Sequence, residues 1–169
     1  MNKRHVKVPR SERIFTLDPK TAPRFFRNNV TCFLFEHAFA LHKVERIYQD
    51  GKAIPGDSTI TQKMMDGMGV RCRVSDEDRA RIPAAGPVVV VANHPFGGLE
   101  GIVLHAFLAS IRQDIRMMVN YLLGRIPEMH DVFILVNPFG TARAARENIR
   151  PLVQSLRWLQ GGGLLGVFP

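Results

Sequence analysis

Residues 87–93, Pro-Val-Val-Val-Val-Ala-Asn, constrain the fold more than any other stretch. Four consecutive β-branched residues are stiff at χ1 and favour extended backbone. A run this short and apolar, with no polar alternation, reads as a strand buried on both faces. The texture then repeats. Residues 100–111 (EGIVLHAFLASI) read as a helix, 115–120 (IRMMVN) as a strand and 121–127 (YLLGRIP) as a short helical turn. Residues 132–137 (VFILVN) read as a third buried strand, 141–160 as a long amphipathic helix, and 161–169 as a glycine stop leading into a fourth strand. Strands alternating with helices predict an α/β domain, a largely parallel sheet flanked by helices. Pro151 inside the long helix predicts a kink or break.

The preceding residues differ. A polar lead is followed, from Ala22 to Tyr48, by apolar residues at three- and four-residue steps (Phe25, Phe26, Val30, Phe33, Leu34, Leu41, Val44, Ile47), a helical pattern that Gly51 and Pro55 close. Asp57 or Ser58 is placed to cap a second helix through Met68, with Gly69 as its stop. "VRCRVS" (70–75) alternates apolar and basic residues and predicts a half-exposed strand; 76–83 predicts a short helix or turn. The expected division is an N-terminal helical segment over 1–69 and an α/β domain over 70–169.

With 169 residues, 46% of them hydrophobic, the chain can bury a substantial core. Its net charge of +8 favours polyanions, nucleic acid or an anionic membrane surface, and the densest basic group is Lys3, Arg4, Lys7, Arg10 and Arg13. Cys32 and Cys72 have neither zinc-ligand nor disulfide-framework spacing. A charged N-terminus without an apolar core argues against a signal peptide. No apolar run approaches the roughly 18 to 20 residues of a spanning helix.

In parallel α/β sheets, sites lie beyond the carboxyl ends of strands. Residues 93–101, NHPFGGLEG, begin where the valine strand ends. His94 is a candidate general base, and Glu100, on the first turn of the next helix, can fix its tautomer and stabilise the imidazolium. Gly97 and Gly98 permit a tight path and close approach by a substrate, and their amides can receive an oxyanion. The same residues equally fit a plain turn followed by a helix-dipole acid, and their spacing alone does not choose. No Ser or Cys lies between Asn93 and Gly101 to act as a covalent nucleophile.

The remaining candidates carry less. His105 reads as packed or solvent-facing. His37 and His42 are five apart and do not share a helical face for a metal, and no metal is expected. Gly161, Gly162 and Gly163 lack the Lys-Ser/Thr of a phosphate loop and follow a helix instead of opening one. Arg112, Arg116 and Arg125 suit plain solvation, or attraction of an acidic carrier protein or phosphate head groups.

"NHPFGGLEG" resembles the first motif of the lysophospholipid (glycerolipid) acyltransferases, most closely the hemolysin-like branch that includes lyso-ornithine-lipid acyltransferases. The common motif is His, four residues, Asp; here five residues separate His94 from Glu100. "DVFILVNPFG" (131–140) stands where the second motif belongs, with Asn137 in place of the usual Arg and Arg143 and Arg146 further on. That argues against glycerol 3-phosphate or lysophosphatidate as acceptor. "LLGVFP" (164–169) is similar to the start of the third motif. The resemblance covers roughly residues 70–169, and a fourth, proline-bearing motif is absent. It implies a chain interrupted after Pro169, weakly active at best, whose last strand is an edge.

The resemblance implies direct acyl transfer from acyl-carrier protein or acyl-CoA, as co-substrate, to a lyso-lipid hydroxyl, without a resident cofactor. His94 would be the base and Glu100 its orienting partner. Substrate would be bound by Asn93, Pro95, Phe96, Gly97 and Gly98 from the first motif, Asn137, Phe139 and Arg143 around the second, and Phe168 and Pro169 from the third. The expected location is cytoplasmic, peripheral on an anionic inner membrane face. Two other classes stay open: a non-catalytic membrane-binding relict of the same fold, and a nucleic-acid-binding module supported by charge alone and therefore not expected.

Overall fold

The computed structural model describes residue 14 and residues 41–95, 98–138 and 140–168. The chain divides into two compact units, Met1–Gln49 and Asp50–Pro169. Of the first, the described residues are Ile14, in a turn, and residues 41–49, which belong to α1 (Leu41–Lys52). The rest of the expected Ala22–Tyr48 helix, with its phenylalanines, lies outside the described residues, as does the basic N-terminal group.

The second unit opens earlier than residue 70 and takes in α2 (Ile60–Met68). Its N-cap is Thr59, not Asp57 or Ser58: the Thr59 hydroxyl accepts from the Gln62 backbone N–H at 3.3 Å. Gly69 ends it in the left-handed region at φ 70°, as its glycine suggests. α3 (Asp76–Ala80) is capped by Ser75 and carries three acids on its first turn. The intervening 70–75 is not a strand. Residues 71–75 are all exposed, so the alternation marks no buried face.

Four strands form one parallel sheet: β1 (Val88–Val91), β2 (Ile115–Asn120), β3 (Phe133–Val136) and β4 (Leu164–Val167). Their order is β1-β4-β2-β3, so the last strand inserts between the first two. β4 is therefore an interior strand and not the expected edge. β1 is an edge strand and is not buried on both faces: Val88 and Val90 pack into the core, whereas Val89 and Val91 are 53% and 61% exposed. Four β-branched residues in a row specify a strand but not its neighbours.

α4 (Gly98–Ala109) covers one face of the sheet. Its Leu108 joins Ile115, Met117 and Leu164 in the core, with Leu104, Phe107, Val119 and Phe168 packed around them. Each fully buried leucine contributes about 2 kcal/mol. Tyr121–Arg125 and Pro127–Met129 are short 3-10 turns before β3. α5 (Ala142–Gln160) packs against β3 and β4 and runs unbroken through Pro151. The helix is long enough for its other turns to hold it through the one missing amide.

Gly161, Gly162 and Gly163 form the helix exit. Gly162 has φ 88°, and a side chain on Gly163 would overlap the Trp158 indole. Trp158 Nε1 donates to the Leu164 carbonyl at 3.0 Å, which fixes the start of β4.

Candidate active site

Strand direction sets the site. All four strands run the same way, so the segments after β1, β2, β3 and β4 gather at one end of the sheet. His94 follows β1, and Glu100 sits on the first turn of α4, which folds back from it. His94 Nδ1 lies 3.8 Å from Glu100 Oε2, an ion-pair distance longer than a hydrogen bond. The histidine side chain is 39% exposed and the carboxylate 21%, with Oε2 itself shielded from solvent. The acid is thus tucked beneath an accessible imidazole. With Nδ1 turned to the carboxylate, Nε2 on the opposite edge of the ring is the nitrogen available to an acceptor.

The neighbour of β1 is β4, which brings Phe168 to the site. Its ring and that of His94 have centroids 4.4 Å apart and planes tilted by 31°. Sequence placed Phe168 among the substrate-binding residues; in the structure it supports the imidazole directly.

Asn93 and Pro95 are exposed in the loop between β1 and α4. Gly98 opens α4 without a positive φ, and among the described residues an added Cβ would meet nothing within 4 Å. The open space beside Gly98 leaves its backbone approachable. Phe96, Gly97, Phe139 and Pro169 lie outside the described residues.

Asn137 and Arg143 are assembled elsewhere along the same end. β3 is three interstrand steps from β1, roughly 14 Å at ~4.8 Å per step. Asn137 Nδ2 donates to Glu147 Oε2 at 2.6 Å, and Arg143 Nε donates to Glu147 Oε1 at 2.7 Å. Asn148 closes the other side: its Oδ1 accepts from the Asn137 backbone N–H, and its Nδ2 donates to the Asn137 carbonyl, both at 2.8 Å. The Arg143 hydrogen bond, then that from Asn137, holds the Glu147 carboxyl below its ordinary pKa. Sequence reasoning missed Glu147 and Asn148, although Arg143 and Glu147 stand at the i,i+4 spacing of a helical ion pair.

Two other polar candidates are structural. His105 is buried, joined to Thr61 Oγ1 through Nδ1 at 2.8 Å, and burial holds its pKa down to about 4. It ties α4 to α2 as a neutral core histidine. Arg112, treated in sequence as a surface cation, is 4% exposed. It grips Asp114 with Nε at 2.8 Å and Nη2 at 2.6 Å, and donates to the carbonyls of Pro83, Gly86 and Gly162. That clamp fastens the loops entering β1 and β4 at the end of the sheet opposite His94.

The fold is a parallel α/β sheet with a His–carboxylate pair beyond its first strand. A family model described as acyltransferase matches residues 44–151, well over half of the chain and inclusive of the His94 loop, Asn137 and Arg143. The chain belongs to this acyltransferase family and is an acyl-transferring enzyme. Neither a curated protein nor a solved structure matches it. Among the described residues, no helix is long and apolar enough to cross a membrane.

Proposed function

We propose that the chain transfers a fatty acyl group from the thioester of acyl-carrier protein or acyl-CoA to a hydroxyl of a lyso-lipid at an anionic membrane surface. The approach of His94 Nδ1 to Glu100 Oε2 carries this reading. His94 Nε2 takes the hydroxyl proton as the oxygen attacks the thioester carbonyl carbon. The tetrahedral oxyanion collapses, the C–S bond breaks, and the imidazolium returns its proton to the thiolate. Glu100 stabilises the imidazolium between these steps. Phe168 holds the ring plane, and the loop around Asn93, Pro95 and Gly98 receives the thioester, together with Phe96 and Gly97.

Asn137 and Arg143 mark the far end of an acceptor path along the sheet edge. Asn137 where the glycerol-phosphate enzymes carry an arginine supports an acceptor other than lysophosphatidate, in keeping with the lyso-ornithine-lipid branch. Glu100→Gln tests the pair. It keeps the shape of the side chain, so the fold stays intact, and transfer to a lyso-lipid falls on the order of a hundredfold. Wild-type rates in Glu100→Gln would exclude the acid from the mechanism. Vesicle binding with no transfer by the wild-type chain would favour the non-catalytic relict.

A further inference from the structure

α5 presents an apolar stripe to solvent. Ala145, Ile149, Leu152 and Leu156 recur at helical spacing on one face, and Ile149 and Leu156 are each 60% exposed. The face that α5 turns to the sheet is made instead by Ala144 and Ser155. Beside the stripe, Arg116, Arg150, Arg157 and Trp158 line a surface pocket of about 470 Å³, with Val153 shared between stripe and pocket.

Three guanidiniums converge there, and among the described residues no carboxylate lines the pocket. Arg116 is held by the Trp158 ring, with Cζ 4.3 Å from its centroid, and its buried Nε has no hydrogen-bond partner among the described residues. Stacking fixes the guanidinium while leaving Nε without an acceptor, and like charges so placed call for an anion. The pocket lies at the start of β2 and the end of α5, opposite to the His94 end of the sheet. Val89, exposed on β1, shares a register row and a sheet face with Arg116 through Leu165.

We propose that this face of α5 is a docking surface for an anionic phospholipid bilayer. Arg116, Arg150 and Arg157 receive a lipid phosphate, and the stripe from Ala145 to Leu156 enters the acyl boundary. A phosphate site alone would suit a soluble phosphate ester; the apolar stripe flanked by arginines is what selects an interface. α5 runs antiparallel to the strands, so its first turns lie at the His94 end. A chain lying on α5 brings that end to the bilayer. This deepens the membrane-surface reading of the enzyme and is independent of the chemistry at His94.

The test is co-sedimentation of the full chain with phosphatidylcholine vesicles, with and without phosphatidylglycerol. The wild-type chain binds the anionic vesicles. Arg150→Glu/Arg157→Glu and Ile149→Ser/Leu156→Ser each weaken binding about tenfold or more. All four side chains are exposed, so circular dichroism is unchanged. Both variants keep wild-type transfer to detergent-dispersed acceptor, and His94→Ala keeps vesicle binding, so failure here and failure of the catalytic reading are told apart. Undiminished vesicle binding by both variants overturns the proposal. So does binding of inorganic phosphate by a chain that ignores anionic vesicles, or self-association that the Ile149→Ser/Leu156→Ser pair abolishes in place of vesicle binding.

Discussion

His94 and Phe168 stand 74 positions apart and stack with ring centroids 4.4 Å apart. The contact exists because β4 returns beside β1, and it links the loop after β1 to the residue after β4. Phe168 also packs against the core cluster. Phe168→Leu therefore keeps most of the buried area and removes the stacked ring. Transfer should fall about fivefold, in keeping with roughly 1 kcal/mol for a ring pair, while thermal stability changes little. Steady-state rates beside a melting curve separate the two effects.

Arg112→Ala removes the clamp that joins the loops before β1 and β4. It leaves Asp114 and three backbone carbonyls without their shared cation. Denaturant unfolding should show a loss of about 3 kcal/mol. Arg112→Lys should recover little of it, because an ammonium cannot reproduce the fork.

His105 makes stability depend on pH. Its folded pKa of about 4 lies below the ordinary 6.5, so the unfolded chain binds the proton more readily. The contribution is full above pH 6.5 and is lost as pH falls toward 4, by about 3 kcal/mol across that window. Asp114, held below its ordinary 3.8 chiefly by the hydrogen bond from Arg112, loses its share only in stronger acid. Unfolding measured from pH 7 to 4 should show the slope, and His105→Gln should flatten it.

Gly163→Ala places a methyl group where the Trp158 indole sits. Overpacking of this kind should cost about 2 kcal/mol and displace the tryptophan from Arg116. A shift in tryptophan fluorescence should accompany the loss, since Trp158 is the chain's one tryptophan.

The elements of the α/β unit were legible because their patterns are local. IRMMVN is a strand at its expected bounds, Gly69 and Gly161 stop helices, and the alternation of strand and helix implies a parallel sheet. Their arrangement was not legible. Nothing in LLGVF says that it enters between β1 and β2, so Val89 and Val91 read as core and are exposed. Arg71 and Arg73 alternate with apolar neighbours as a strand does, yet among the described residues no partner strand lies beside them. Arg112 looks like any surface cation until the Pro83, Gly86 and Gly162 carbonyls converge on it. Of the site, His94 and Glu100 were readable from their loop. The distance between the Asn137 cluster and that loop depended on strand order.

The central claim is that His94 is the general base for acyl transfer. Transfer of an acyl chain from acyl-carrier protein or acyl-CoA to a lyso-lipid by His94→Ala, beside the wild-type chain, tests it most directly. The expected result is a loss on the order of 10²- to 10⁴-fold with circular dichroism and vesicle binding unchanged. Transfer by a folded His94→Ala chain at the wild-type rate would contradict it.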